Sequence, residues 1–454
     1  MSLRKHLPVC LGVFAFCFVV AVYVIPNVDQ TLWFTGIRSY ARQKVNPAIL
    51  SREHQGRRET IQKFCGNQPP SYNISQNIYR YFSFSKRHRL LYCGIQKVGT
   101  SFLLRVMKLL IGRVGEGELF NKSFLHGQGM RGKASFSDER NTPETIHKIL
   151  ENYDHKFFFV RDPFSRLFSA YMDKVFLPDH MMLAIARRVI IIVTVIVTVI
   201  VIVKVFLPDH RMFAIAKQGG LTREEEEGGG ESSRQCLLNV TFQTFLEVVT
   251  SHKKNDPHWL PMHRHCDPCN VRFHYVGKME TFRADLEFIL GQAGVDLDLL
   301  SPDRDSFDSD TDLRALQDLA RHNYRKARAS LCPAETYMCR VMEKIWITLQ
   351  TRGFLSMKVP YPFPAKNCLA YNQTTFMDTL VAAYRQSGTH EARMHQRKEA
   401  MMEAYYRLPA DLLKRAEDYV RDDCAMFGYN CSVEARFPQG GLRELQYSYF
   451  GSYA

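Results

Sequence analysis

Two short apolar runs, each breaking directly into a helix-starting signal, limit what this chain can fold into. The first is Leu90-Leu91-Tyr92-Cys93-Gly94-Ile95, followed by Gln96-Lys97-Val98-Gly99-Thr100-Ser101. The second is Phe157-Phe158-Phe159-Val160, followed by Arg161-Asp162-Pro163-Phe164. Runs of this length, apolar on both alternating faces, predict strands covered on both sides, as in a parallel sheet with helices packed on it. From about residue 86 onward strand and helix patterns alternate, which predicts an α/β domain. Helical spacing recurs from Pro143 through Tyr171 and at Thr244–Val249, Leu286–Gly294 and Asp411–Val420.

The junctions carry the chemistry. At the first, Gly99 allows a tight turn close to an anion, and Thr100 or Ser101 can cap the following helix. Phe102, Leu103, Val106, Met107 and Leu110 then form one apolar face. Lys97 stands before Gly99, so the Gly-x4-Gly-Lys order of a nucleotide triphosphatase loop is absent. At the second junction Asp162 suits the N-cap and Pro163 the first helical position. Arg161 ends the strand, where a guanidinium can grip phosphate through two hydrogen bonds. Arg166 and Ser169 share a helix face at i, i+3. Strand-to-helix turns gather backbone N–H groups and the positive helix end, so one junction can hold one phosphate. Two junctions in one domain suggest a ligand with phosphates at both ends.

Together these segments resemble the 5′-phosphosulfate and 3′-phosphate motifs of the Golgi carbohydrate sulfotransferases, in the branch of the chondroitin and dermatan 4-O- and HNK-1 sulfotransferases. The second motif of that family, Arg-Asp-Pro-Phe-x-Arg-Leu-x-Ser-Ala-Tyr, matches almost completely from Arg161 to Tyr171. The first keeps Lys97, Val98, Gly99, Ser101 and Arg105 and departs at Gln96, Thr100, Phe102, Leu103 and Leu104. Similarity resumes, in order, at His258-Trp259, Cys266-Asp267-Pro268-Cys269, Tyr275 to Thr281, Leu408-Pro409 and Met426 to Tyr429.

The resemblance implies a P-loop-like parallel sheet flanked by helices (the sulfotransferase fold), with 3′-phosphoadenosine 5′-phosphosulfate as donor, a glycan hydroxyl as acceptor and no metal. It places Lys97 at the leaving oxygen and the backbone of Val98, Gly99, Thr100 and Ser101, with Arg105, at the 5′ phosphate. Arg161, Arg166 and Ser169 fall to the 3′ phosphate. A base must take the acceptor proton, a task suited to histidine; His126 is the first candidate and His258 the second. A membrane-tethered, catalytically inactive glycan- or polyanion-binding protein of the same fold is the alternative. A kinase-like nucleotide enzyme is disfavoured by the missing loop order.

Leu7 to Ile25 is a stretch of 19 residues without charge, preceded by Arg4 and Lys5 and followed by Pro26. It predicts a signal-anchor with residues 1–6 cytosolic and the rest in the lumen, a type II Golgi membrane protein. Residues 26–85, polar and basic, read as a stem, residues 86–435 as the sulfotransferase domain and residues 436–454 as a loose tail. Asn73, Asn121, Asn239, Asn372 and Asn430 begin glycosylation triplets. Ten of the twelve cysteines lie beyond the anchor, in keeping with disulfides. Cys266-x2-Cys269 lacks a second pair at zinc spacing, so a disulfide or turn is expected there. A net charge of +14 favours polyanionic partners such as glycosaminoglycans, and the anchor argues against nucleic acid.

One segment is anomalous. Residues 174–188 and 204–218 agree at 11 of 15 positions, and Val189 to Val203 between them contains only Val, Ile and Thr. This fits a tandem insertion, or a gene-prediction artefact, in a loop after the second phosphate helix, since loops take insertions at modest entropic cost.

Overall fold

The two apolar runs become neighbouring parallel strands. In the computed structural model, residues 46–67, 81–112, 150–177, 240–251, 256–299, 307–329, 334–364 and 367–453 are described. The chain divides into two units, Met1–Glu53 and His54–Ala454. Of the first, residues 46–53 are described, and they open helix α1 (Pro47–Gly66). The remainder concerns the second unit.

The sheet has the order β1 (Phe82–Ser85), β2 (Leu90–Cys93), β3 (His155–Val160) and β4 (Tyr275–Lys278). β1 is antiparallel to β2, with Phe82 opposite Cys93, whereas β2, β3 and β4 run parallel. Cys93 pairs with Phe158, and Val160 with Lys278. The expected parallel sheet is therefore present, with an antiparallel edge strand added. Gly277 in β4 lies beneath the Phe159 ring, where a Cβ would meet ring carbons at 2.4–2.6 Å. Only glycine lets that side chain cross the neighbouring strand.

Helix α2 (Thr100–Leu110) follows β2, and α3 (Pro163–Tyr171) follows β3. α3 runs on into a π-helical turn at Met172–Phe176. Next come α4 (Phe242–Thr250), α5 (His263–Cys266) and α6 (Phe282–Gln292). The helical C-terminal half comprises α7 (Phe307–Arg328), α8 (Ala334–Thr351), α9 (Gln373–Arg385), α10 (His390–Tyr406), α11 (Ala410–Phe427) and α12 (Val433–Arg436). One core joins the sheet to α2 and α6 through Leu103, Val106, Met107, Leu286 and Ile289. A second packs Phe164, Leu167 and Phe168 of α3 against α4, α10 and α11, and a third lies among α7, α8 and α9.

Two expectations are corrected. The span taken as stem contains α1 and β1. From His54 on, α1 docks on β4 and α6: Arg57 Nη1 donates to Asp285 Oδ2 and Val276 O, both at 2.8 Å, and the Val276 N–H donates to His54 Nδ1 at 3.2 Å. Further along, Ile61 enters the first core and Cys65 is bonded to Cys269. The inward-facing His54 and Arg57 interrupt the apolar spacing, so the helix reads as polar in its sequence. The tail from residue 436 is not loose either. Phe437, Tyr449, Phe450 and Tyr453 are buried in the second core, and buried Glu403 accepts the Tyr449 N–H at 2.5 Å.

Cys266 and Cys269 belong to separate disulfides, Cys93–Cys266 and Cys65–Cys269; Cys339–Cys368 and Cys424–Cys431 add two more. Among the described residues no helix is long and apolar enough to cross a membrane, and the expected anchor at 7–25 lies outside them. Of the repeat, only residues 174–177 are described.

Candidate active site

Because β2 and β3 are adjacent and parallel, the two junctions leave the sheet side by side, at the strand ends where open α/β sheets bind ligands. In the first, Lys97 and Gly99 both have left-handed backbones, with φ of 69° and 76°. For a lysine this conformation costs about 1 kcal/mol. A Cβ on Gly99 would lie 3.0 Å from Phe282 and 3.2 Å from Met279, so glycine is required by space as well as by backbone. Gly99 is also the N-cap of α2 and offers no side chain, leaving the first-turn amides without a side-chain cap. Val98 is fully buried. The Thr100 hydroxyl turns inward to the Ile95 carbonyl, whereas Ser101 is exposed on the first turn. Arg105 donates through Nε to the Ser101 carbonyl at 3.2 Å.

The second junction is built differently. Asp162 caps α3 by accepting the Ser165 N–H at 2.8 Å, so a carboxylate already serves that helix end. The donors this junction leaves to a ligand are therefore those of side chains. Arg161 is buried; Nε and Nη2 donate to Ser165 Oγ at 2.9 and 2.7 Å, and Nη1 donates to the Lys97 carbonyl at 3.3 Å. Ser169, half-buried, stands one turn beyond Ser165 on the same face. Arg166 is 2% exposed and donates to the carbonyls of Gln96 at 2.9 Å and Pro257 at 3.2 Å. It braces the first loop against the turn at residues 256–262.

Lys97 Nζ donates to Asp173 Oδ2 at 2.8 Å, and Asp173 also has Lys174 and Arg352 at 3.6 Å. Burial outweighs the attraction of Asp173 and pulls the Lys97 ammonium down to about 7, with Arg352 and Lys174 adding to the drop. Those three cations hold Asp173 well below the usual carboxylate range despite its burial. Burial also lowers Arg161, and nearby Arg397 acts in the same direction.

His258 places Nδ1 2.6 Å from Asp256 Oδ1, and its backbone N–H donates to the same oxygen at 2.8 Å. A carboxylate acceptor fixes the proton on Nδ1 and leaves Nε2 as the basic atom. Burial lowers His258, Asp256 opposes, and both Lys174 and Lys97 push it down, which places the imidazole in the field of the Lys97 cluster. His126, the other candidate base, lies outside the described residues, as do Asn73, Asn121 and Asn239; Asn372 and Asn430 are exposed.

A family model described as "Sulfotransferase family" matches residues 80–347, which include both junctions. The chain belongs to the sulfotransferase family. Carbohydrate sulfotransferase 14 of Danio rerio is 25% identical over 261 residues, covering 55% of this chain and 60% of that protein. Carbohydrate sulfotransferase 10 of Danio rerio is 26% identical over 273 residues, covering 56% and 66%. Human carbohydrate sulfotransferase 14 is 27% identical over 257 residues, covering 54% and 57%. The chain thus spans 57–66% of the length of these relatives. No solved structure matches it.

In this sulfotransferase-family chain the fold adds residues that sequence reasoning missed. Ser165 stands at i+4 from Arg161 and Asp256 at i−2 from His258, spacings that could have drawn attention. Asp173 follows the second motif, but nothing local to it signals that its partner is 76 positions away. Arg352 lies beyond the family match and reaches the site only through packing of the C-terminal helices.

Proposed function

We propose that the protein transfers a sulfuryl group from 3′-phosphoadenosine 5′-phosphosulfate to a hydroxyl of a glycan, in the Golgi lumen and anchored through residues 7–25. The observation that carries this reading is the juxtaposition of the two junctions, bound to each other by Arg161 and the Lys97 carbonyl. The residues suit such a donor. The uncapped start of α2 with exposed Ser101 offers amides and a hydroxyl to one phosphate, while Arg161, Ser165 and Ser169 offer donors to a second. The donor supplies the activated sulfuryl group and a stable bisphosphate leaving group. Lys97 holds positive charge where the leaving oxygen gains negative charge. His258 takes the acceptor proton at Nε2, and Asp256 stabilises the imidazolium that results. Geometry favours His258 as base because its orienting carboxylate and the Lys97 cluster are both in place. The relatives' designation as carbohydrate sulfotransferases supports the glycan class, and the four disulfides among the described residues suit an oxidising compartment.

The test is sulfate transfer from labelled donor to chondroitin, dermatan, heparan and terminal-GalNAc glycans by the full chain. Incorporation into at least one acceptor is expected, falling at least about 100-fold in Lys97→Ala and in Arg161→Ala. Transfer at wild-type rate in either variant would refute the assignment. Donor binding with no transfer to any acceptor would favour an inactive binding protein.

A further inference from the structure

Three cations share one carboxylate at the mouth of the first junction. Lys97 Nζ hydrogen-bonds Asp173 at 2.8 Å, Lys174 Nζ is 3.6 Å from the same oxygen, and Arg352 Nη2 is 3.6 Å from the other. Among the described residues that buried Arg352 nitrogen has no hydrogen-bond partner. The cluster therefore holds more positive charge than its own carboxylate can neutralise, together with an unmet buried donor, and both call for a further anion. Asp173 itself sits in the π-helical turn that follows α3. The wider turn shifts the phase of the residues after it by roughly 100° relative to a continuous α-helix, and such turns concentrate at functional sites.

We propose that Asp173 is a positioning residue: an internal counter-anion that holds Lys97 in the donor-free site and yields it to the anionic end of the donor on binding. The inference rests on the reading of the ligand as a phosphosulfate donor. Without Asp173, Lys97 would be a buried ammonium among the cations Arg352 and Lys174, and would shed its proton more readily. With Asp173 it stays charged and aimed, at the expense of competing with the incoming phosphosulfate. Donor binding then exchanges one anion for another around the same three cations and leaves Arg352 with a partner.

The test is calorimetric titration of the full-length chain with adenosine 3′,5′-bisphosphate from pH 6.5 to 9, in buffers of differing ionisation enthalpy. The groups facing Lys97 are Asp173 and Lys174 from the π turn, Arg352 after α8, Arg161 at the end of β3, and His258 from the turn at residues 256–262. Asp173 stays ionised throughout, and His258 lies below its ordinary value of 6.5 and so is neutral over the range. Wild type is expected to lose affinity, and to take up a proton on binding, as pH rises through the Lys97 titration. In Asp173→Asn that onset moves down by at least about one pH unit, so the fall in affinity and the proton uptake are already present at pH 6.5, where wild type shows neither in full. Asp173→Glu keeps the charge and the wild-type onset, and Lys97→Met removes the pH-dependent part altogether. An Asp173→Asn chain with wild-type onset and proton uptake overturns the inference, as does a Lys97→Met chain that retains the wild-type pH dependence. A wild-type chain that binds no bisphosphate overturns the donor reading itself, a failure distinguishable from the other two.

Discussion

Lys97→Met should make the protein without ligand more stable while removing the sulfuryl transfer proposed above. Lys97 is 12% exposed, and its ammonium falls from 10.5 to about 7 mainly through burial. At about 1.4 kcal/mol per pH unit, that gap sets an upper bound of about 5 kcal/mol on the destabilisation the charged lysine imposes on the fold. Part of the gain is offset, because Asp173 loses its nearest cation, although Lys174 and Arg352 remain at 3.6 Å. The left-handed backbone at position 97 stays in both proteins. A net gain of about 1–2 kcal/mol is expected, seen as a melting point a few degrees higher. The sign can be checked against pH. Below about 7 the lysine is protonated in folded and unfolded chains alike, so wild type bears the full penalty. Between about 7 and 10.5 the unfolded chain binds more protons than the folded one, wild-type stability rises with pH, and the advantage of methionine shrinks. Thermal unfolding of both proteins without ligand at pH 6 and pH 9 measures this. A methionine variant that melts below wild type at pH 6, or whose advantage is the same at both pH values, would refute the reasoning.

Gly99→Ala combines a positive φ with a Cβ 3.0 Å from Phe282, and should lower stability by about 1–2 kcal/mol and weaken bisphosphate binding, both read by thermal shift with and without that ligand. Arg57→Ala leaves the fully buried Asp285 carboxylate without its 2.8 Å cation and should cost about 3–5 kcal/mol in denaturant unfolding; a loss under about 1 kcal/mol would show that His54, 3.4 Å away, suffices.

What was legible in the sequence is what depends on local pattern. The apolar runs gave β2 and β3 because covered parallel strands need no polar alternation, and Asp162-Pro163 gave the start of α3 because cap chemistry is local. Gly99 could be recognised for the same reason. The rest depends on distant partners. α1 is attached through Arg57 and His54 to an aspartate more than two hundred positions away, and no periodicity encodes that. Arg166 carries the residue type expected of a phosphate ligand, yet a loop carbonyl 70 positions away claims its guanidinium. The Asp173 and Arg352 contributions required a π turn and a helix-packing arrangement respectively. Site residues on one motif could be read; those delivered by tertiary convergence could not.

The aromatic segment around Phe450 has a consequence for any change made far downstream of the two junctions. The Phe450 ring lies 6.1 Å from Phe168 and 6.0 Å from Phe176, and Tyr453 lies 5.7 Å from Phe176, so residues remote in sequence close over the helix bearing Ser165 and Ser169 and over the turn bearing Asp173. A variant without those two rings would keep every motif residue and still lack the apolar backing beneath them.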